Sequence, residues 1–220
     1  MKRLFYLVMA ALMALTLSCK KDNPKNDGLG VDGKTPLPQV VDMGTAIDGR
    51  VFKWASCNLG ASTTAGYGDY YCWGELEPKS EYTETNYSYD EKPAELPLSL
   101  DPARKKLGGK WRMPTKAEFE VLLNVCQTEE KEVADGVKGI LFISRRTGNT
   151  LFLPLSSSMN GTSRDLGTLT SYLSTTVMEH SEYNAWGLSI YPKNAGFSYL
   201  AIIQGASRAR GNPIRPVYEE

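Results

Sequence analysis

Residues 101–126, DPARKKLGGKWRMPTKAEFEVLLNVC, carry the clearest structural signal in this chain. Thr115 and Glu118 are three residues apart and form a capping box. Each side chain can accept a hydrogen bond from a backbone N–H that the helix start leaves free. Phe119, Leu122, Leu123 and Cys126 then fall at i, i+3, i+4 and i+7, which places them on one apolar helical face. A shorter helix precedes this one. Asp101 suits its N-cap, Pro102 its first turn, and Gly108-Gly109 stops it.

On both sides of the helices the pattern is β. Val40, Val41 and Met43 suggest a strand, Asp48-Gly49 a hairpin turn, and residues 51–54 the returning strand. Residues 60–98 are rich in Gly, Tyr, Glu and Pro, and predict a short strand at 69–73 followed by long irregular structure. Beyond Asp135-Gly136, residues 137–144 and 150–155 read as a hairpin around 146–149. A polar loop, 156–168, leads to strands at 171–176, 185–191, 197–203 and 214–218, separated by Gly, Pro and Asn. Two helices early and a mostly antiparallel sheet late make an α+β domain.

The N-terminus reads as an export signal. Lys2 and Arg3 are followed by the apolar stretch 4–17, shorter than the roughly 20 residues a membrane span needs and suited to a signal's apolar region. Ser18-Cys19 closes it in the manner of a bacterial lipobox, although Thr16 stands where that motif favours Leu. The expected organisation is a lipoprotein signal peptide over 1–18, acylation at Cys19, a solvated tether over 19–38 and a folded domain over 39–220. The tether KKDNPKNDGLGVDGKTPLP has almost nothing to bury. The alternative, an ordinary secretory signal with a chance cysteine, lacks a competing A-x-A-like cleavage site.

Lys plus Arg and Asp plus Glu number 25 each. No basic excess is present to hold nucleic acid or an anionic membrane surface. Past Cys19 the chain has Cys57, Cys72 and Cys126, and no C-x-x-C. An oxidising compartment allows one disulfide and leaves one thiol over.

Three stretches, 53–61 KWASCNLGA, 67–75 YGDYYCWGE and 108–119 GGKWRMPTKAEF, occur in order with 214–217 IRPV at the end. Together they resemble the Fibrobacter succinogenes major paralogous domain, a family of exported proteins in Bacteroides-like bacteria. The resemblance covers about residues 40–218. That family is similar to the C-type-lectin-like fold in the branch that includes formylglycine-generating enzyme, and shares its Trp-Arg-x-Pro-Thr-x-Ala-Glu-Phe block. The resemblance implies a C-type-lectin-like domain whose two chain ends pair in one sheet, with a long-loop region to one side. It also implies an outer-membrane lipoprotein, at the cell surface or on the periplasmic face, and brings no established activity with it.

The residues offer little catalytic chemistry. The formylglycine-generating reaction needs cysteines in the C-terminal part of the fold, and none follows Cys126. His180 is the only histidine and lies in a polar stretch, so a histidine triad or a two-histidine metal site has nothing to build on. Asp69 and Glu75 flank 70–73 and are the most credible carboxylate pair for a glycosidase. Their blander role is to hold loop backbone or an Arg. Glu77-Pro78-Lys79 puts a cation where a calcium lectin needs an oxygen ligand. No cofactor or metal is expected.

Trp111-Arg112 is read as core and brace in preference to a recognition hot spot. Among the tyrosines, Tyr82, Tyr87 and Tyr89 are the candidates for stacking on a ligand. The leading expectation is therefore a non-enzymatic, lipid-anchored module that binds glycan or protein and is adhesin-like. A structural subunit of an envelope or pilus-like complex comes second and a glycoside hydrolase third.

Cys126 is in phase with the buried face of the second helix. Cys57 follows the strand that ends near Trp54, and both positions recur in the resembling family. A Cys57–Cys126 bridge with Cys72 spare is one expectation, closing a long loop for about 4 kcal/mol. Two buried free thiols is the other.

Acylation contributes about 0.8 kcal/mol per buried CH₂, so several chains anchor firmly. Cys19→Ala is expected to move the protein from the membrane to the soluble fraction, with loss of an incorporated acyl label. Retention of both would exclude the anchor.

Overall fold

A computed structural model describes residues 28–164, 168–192 and 200–220. The stretch expected to be a signal peptide, and Cys19, lie outside these residues. The chain is α+β, with two helices and antiparallel strands in several sheets. No helix among the described residues is long and apolar enough to cross a membrane.

Strands β1 (Val40–Ile47) and β2 (Arg50–Ala55) form the expected hairpin. Asp48 and Gly49 both take positive φ, 49° and 79°, the geometry of the type I′ turns that match strand twist. Helix α1 (Pro102–Leu107) is capped by Asp101, whose Oδ1 accepts from the N–H groups of Ala103 and Arg104. Its Oδ2 accepts from Met113 N at 2.7 Å, so one buried carboxylate ties the helix start to the chain leaving β3 (Trp111–Arg112). Helix α2 (Lys116–Val125) forms the capping box in full. Arg112 extends it, donating to both oxygens of Glu118 and to Glu219.

Strands β4 (Cys126–Glu132), β5 (Lys138–Ser144) and β6 (Thr150–Pro154) make a second sheet. The short hairpin of β7 (Met159–Asn160) and β8 (Ser163–Arg164) follows. A third sheet has the order β11 (Leu200–Ser207), β10 (Asn184–Tyr191), β9 (Thr170–Val177). The C-terminal strand β12 (Val217–Glu219) inserts between β2 and β3, pairing Val217 with Trp54 and with Arg112. The two ends of the domain thus share one sheet.

One face of α2 meets the main core, where Phe119 stacks on Trp54 at 5.5 Å and Leu122 joins Met43, Phe142 and Leu188. A second core gathers Tyr71, Trp73, Leu107, Trp111 and Ile214. At their junction Arg215 is fully buried. Its guanidinium donates to Asn58 Oδ1 at 3.0 Å, Ala55 O at 3.1 Å and Phe152 O at 2.9 Å.

Five expectations need correction. The flexible tether expected over 19–38 does not include residues 28–38, which bond to one another and to α1. Gly30 N bonds Thr35 O, Leu37 N bonds Gly28 O, and Asp32 N reaches Lys106 O. Residues 69–73 form a single bridge, Tyr71 with Asn212, in place of a strand. The strand expected at 214–218 is shifted to Val217–Glu219, while the chain before it bonds to the loop after β2. Helix α2 stops at Val125, so Cys126 opens β4, an element the polar sequence CQTEEKE did not signal.

The fifth concerns the cysteines. Cys57, Cys72 and Cys126 are all buried free thiols, so the Cys57–Cys126 bridge is not formed. Cys57 Sγ donates to Ala61 O, and Cys126 packs in the main core. Burial pushes Cys72 up to about 12 and Cys126 up to about 11, the signature of inert structural thiols.

Removing Arg215 strands three buried acceptors, each worth about 1–3 kcal/mol when left unpaired. Arg215→Met is therefore expected to lower unfolding stability by about 3 kcal/mol or more in urea denaturation. A loss below about 1 kcal/mol would show that the buried cation is dispensable.

Candidate functional site

The tyrosine-rich segment is held from beneath by a second buried arginine. Arg208 donates from Nε to Tyr87 Oη at 3.0 Å and from Nη2 to the carbonyls of Tyr89 and Glu91. Its guanidinium lies 4.6 Å from the Trp73 ring centroid, a cation–π contact away from water. Tyr87 Oη in turn donates to Trp73 O at 2.8 Å, and burial pushes its phenol pKa up. Tyr89 packs on Trp73 at 5.6 Å and lies over Gly74. A Cβ on that glycine would sit 2.1 Å from the Tyr89 ring, and its φ of 82° also favours glycine.

These contacts revise the expected ligand tyrosines. Tyr82 is core: it packs with Tyr70 and Cys72, donates to Tyr70 O and accepts from Lys79 N. Its phenol cannot stack on a ligand without unmaking the fold. Tyr87 and Tyr89 are half-buried and present only part of each ring to a cleft.

The other singled-out residues have structural partners. Glu75 is held by Lys79 and by Ser88 N and Oγ at 2.9 Å. Burial alone would raise its pKa, but these contacts hold it below the usual carboxylate range. Asp69 lies beside Gly60 and Tyr71, and burial pushes its pKa up. Trp111 packs edge-on against Tyr218. His180 is exposed in the turn between β9 and β10. Among the described residues no group of three His, Cys, Asp or Glu is placed to hold a metal ion.

A larger concavity lies elsewhere. A groove of about 660 Å³ is walled by β7, β8, Ser171 of β9, the start of β10 at Asn184 and the end of β11 at Gly205–Ser207. Adjoining clefts of about 290 and 250 Å³ share Glu84 and Ser207 with it, so the three form one connected depression. Its floor is set by buried Asn212, which accepts from Ser158 Oγ and donates to the carbonyls of Ser207 and Arg210.

Asn160, Ser163, Glu84 and Arg210 are exposed along it, with side chains unpaired among the described residues. Tyr183, 68% exposed, stands at the junction of the two larger parts. The arrangement combines amide and hydroxyl groups, one acidic and one basic side chain, and an aromatic face. It can hydrogen-bond in several directions while packing one flat apolar surface.

Sequence reading missed this groove. Residues 156–163, SSSMNGTS, and 207–212, SRARGN, are small and polar and look like ordinary loop. The one available signal was the density of hydroxyl and amide side chains in 156–163. Comparison with protein-family models, with curated proteins and with solved structures found no match to this chain.

The two kinds of tyrosine separate by stability. Tyr82→Ala is expected to cost about 3–5 kcal/mol, as large-to-small core changes do. Tyr183→Ala should stay within about 0.5 kcal/mol. Urea unfolding of both variants checks this, and equal losses would contradict the division.

Proposed function

We propose that this chain is a lipid-anchored envelope module of the C-type-lectin-like class, held at the outer membrane through Cys19, that binds a glycan in the groove beneath Tyr183. The groove's composition carries this reading. Sugar rings offer many hydroxyls around an apolar C–H face, and Asn160, Ser163 and Tyr183 supply the matching groups. Glu84 and Arg210 oppose each other in sign, so the chemistry favours a neutral glycan over a strongly charged one.

The fold-level part of the proposal rests on the sequence motifs. It is supported by the pairing of β12 with β2 and by the long 60–98 stretch with few strand pairings. We assign the domain no catalytic role. The carboxylates a glycosidase would use, Asp69 and Glu75, do not line the groove, and Glu75 is committed to Lys79 and Ser88. The second reading, an assembly subunit of an envelope complex, draws on a separate feature, the outer edge of β11, whose Leu200–Ala206 backbone is unpaired among the described residues.

Cys19→Ala protein, which lacks the acylation site, is the reagent for a glycan array and for calorimetry of each hit. Binding of a neutral glycan is expected. Tyr183→Ala should weaken it by about tenfold or more, as loss of an aromatic hot spot does, with an unchanged melting temperature. An array without hits would remove the glycan reading and leave a protein ligand. Turnover of a bound glycan that is lost in Glu75→Gln would instead make the domain a hydrolase.

A further inference from the structure

Strand edges that expose unpaired backbone groups recruit other strands, and folds guard them with charge, proline or covering chain. Four long edges here are guarded. The outer edge of β1 is covered by the β5–β6 turn, where Arg146, Thr147 and Asn149 bond the carbonyls of Gly44 and Asp42. The outer edge of β9 bonds to Ala94, Leu96, Pro114 and Pro213. On β6, Arg215 and Tyr172 occupy the carbonyls of Phe152 and Pro154. The outer strand β4 is guarded by charge, with Glu129, Glu130, Lys131 and Glu132 in succession.

Among the described residues the outer edge of β11 has one such guard, Asn212 donating to the Ser207 carbonyl at the strand's end, and none over Leu200–Ala206. Its sequence, LAIIQGAS, holds no charge and no proline. Its register with β10 runs unbroken from Asn184–Ser207 to Tyr191–Leu200, so no bulge twists the edge away. Among the described residues Leu200–Ala206 form no backbone hydrogen bonds outside the sheet. Leu200 is 51% exposed at the start of the strand. Ala201 and Ile203 pack against the main core and hold the strand flat on it.

We propose that β11 is the dimerisation strand of this protein, pairing antiparallel with β11 of a second copy to make one sheet of twice the strands. A strand edge selects another strand, because only extended backbone matches its spacing of donors and acceptors. The lack of charge selects the copy. A two-fold antiparallel pairing brings no like charges together and covers Leu200 and Ile202 on both sides. A charged partner strand would bury its charges against LAIIQGAS without a counter-ion. The joined sheet, from a three-stranded one, is of ordinary size. This inference does not depend on the groove holding a glycan.

Cys19→Ala protein is to be followed by sedimentation equilibrium across a concentration series, with amide hydrogen exchange read along β11. The expected result is a monomer–dimer equilibrium, with slower exchange at Leu200–Ala206 as dimer forms. Gln204 lies near the middle of β11, so in a full-length two-fold pairing it sits near its own copy. Gln204→Lys and Gln204→Glu should each be monomeric, and an equimolar mixture should dimerise again. That rescue shows that both variants fold. A wild-type protein that is monomeric throughout would overturn the proposal. So would a dimer that persists in Gln204→Lys with β11 exchange unchanged by concentration.

Discussion

The buried guanidinium of Arg215 is the constraint around which the domain closes. A permanent charge with no carboxylate in contact among the described residues must be met by dipoles, and three oxygens do so: Ala55 O, Asn58 Oδ1 and Phe152 O. Two come from the chain leaving β2 and one from β6, while Arg215 itself lies just before β12. The N-terminal hairpin, the second sheet and the C-terminus must therefore all be in place before the charge is satisfied. Asn58 carries the link onward, donating to Tyr67 O and to Tyr172 Oη. Burial lowers the pKa of Arg215, the expected direction for a cation taken out of water.

Arg208 repeats the device on the other side of the molecule, with aromatic faces added to the carbonyls. It fastens the backbone at Tyr89 and Glu91 to the end of β11, above Trp73. A stretch with few strand pairings thereby becomes a fixed wall. The groove beside it is built from Glu84, Asn160, Tyr183 and Arg210, which four separate parts of the chain contribute. A recognition surface whose walls are already fixed loses little conformational freedom on binding. That suits a module whose proposed task is to hold a ligand and not to transform it.

What the sequence by itself determined is local. The capping box of α2, the Asp101 cap, the Asp48-Gly49 turn and the strands of the β5–β6 and β9–β10 hairpins each depend on residues a few positions apart. Contacts at that range are written in residue type and spacing. The α+β class follows from their order along the chain.

Tertiary structure alone decided which polar and aromatic groups would be enclosed. Tyr82 looks no different from an exposed tyrosine until the chain at Tyr70 and Cys72 closes over it. Arg208 and Arg215 look like surface cations until carbonyls far away in sequence converge on them. Cys57 and Cys126 stand free because each packs against different neighbours, Ala61 for one and the α2 core for the other. The charged strand β4 exists because β5 offers it a partner edge, with Thr128 opposite Phe142 and Glu130 opposite Ile140. For the enclosed side chains the deciding free energy is desolvation, and a residue's exposure to water depends on chain more than a hundred positions away, as Arg208 and Glu91 show.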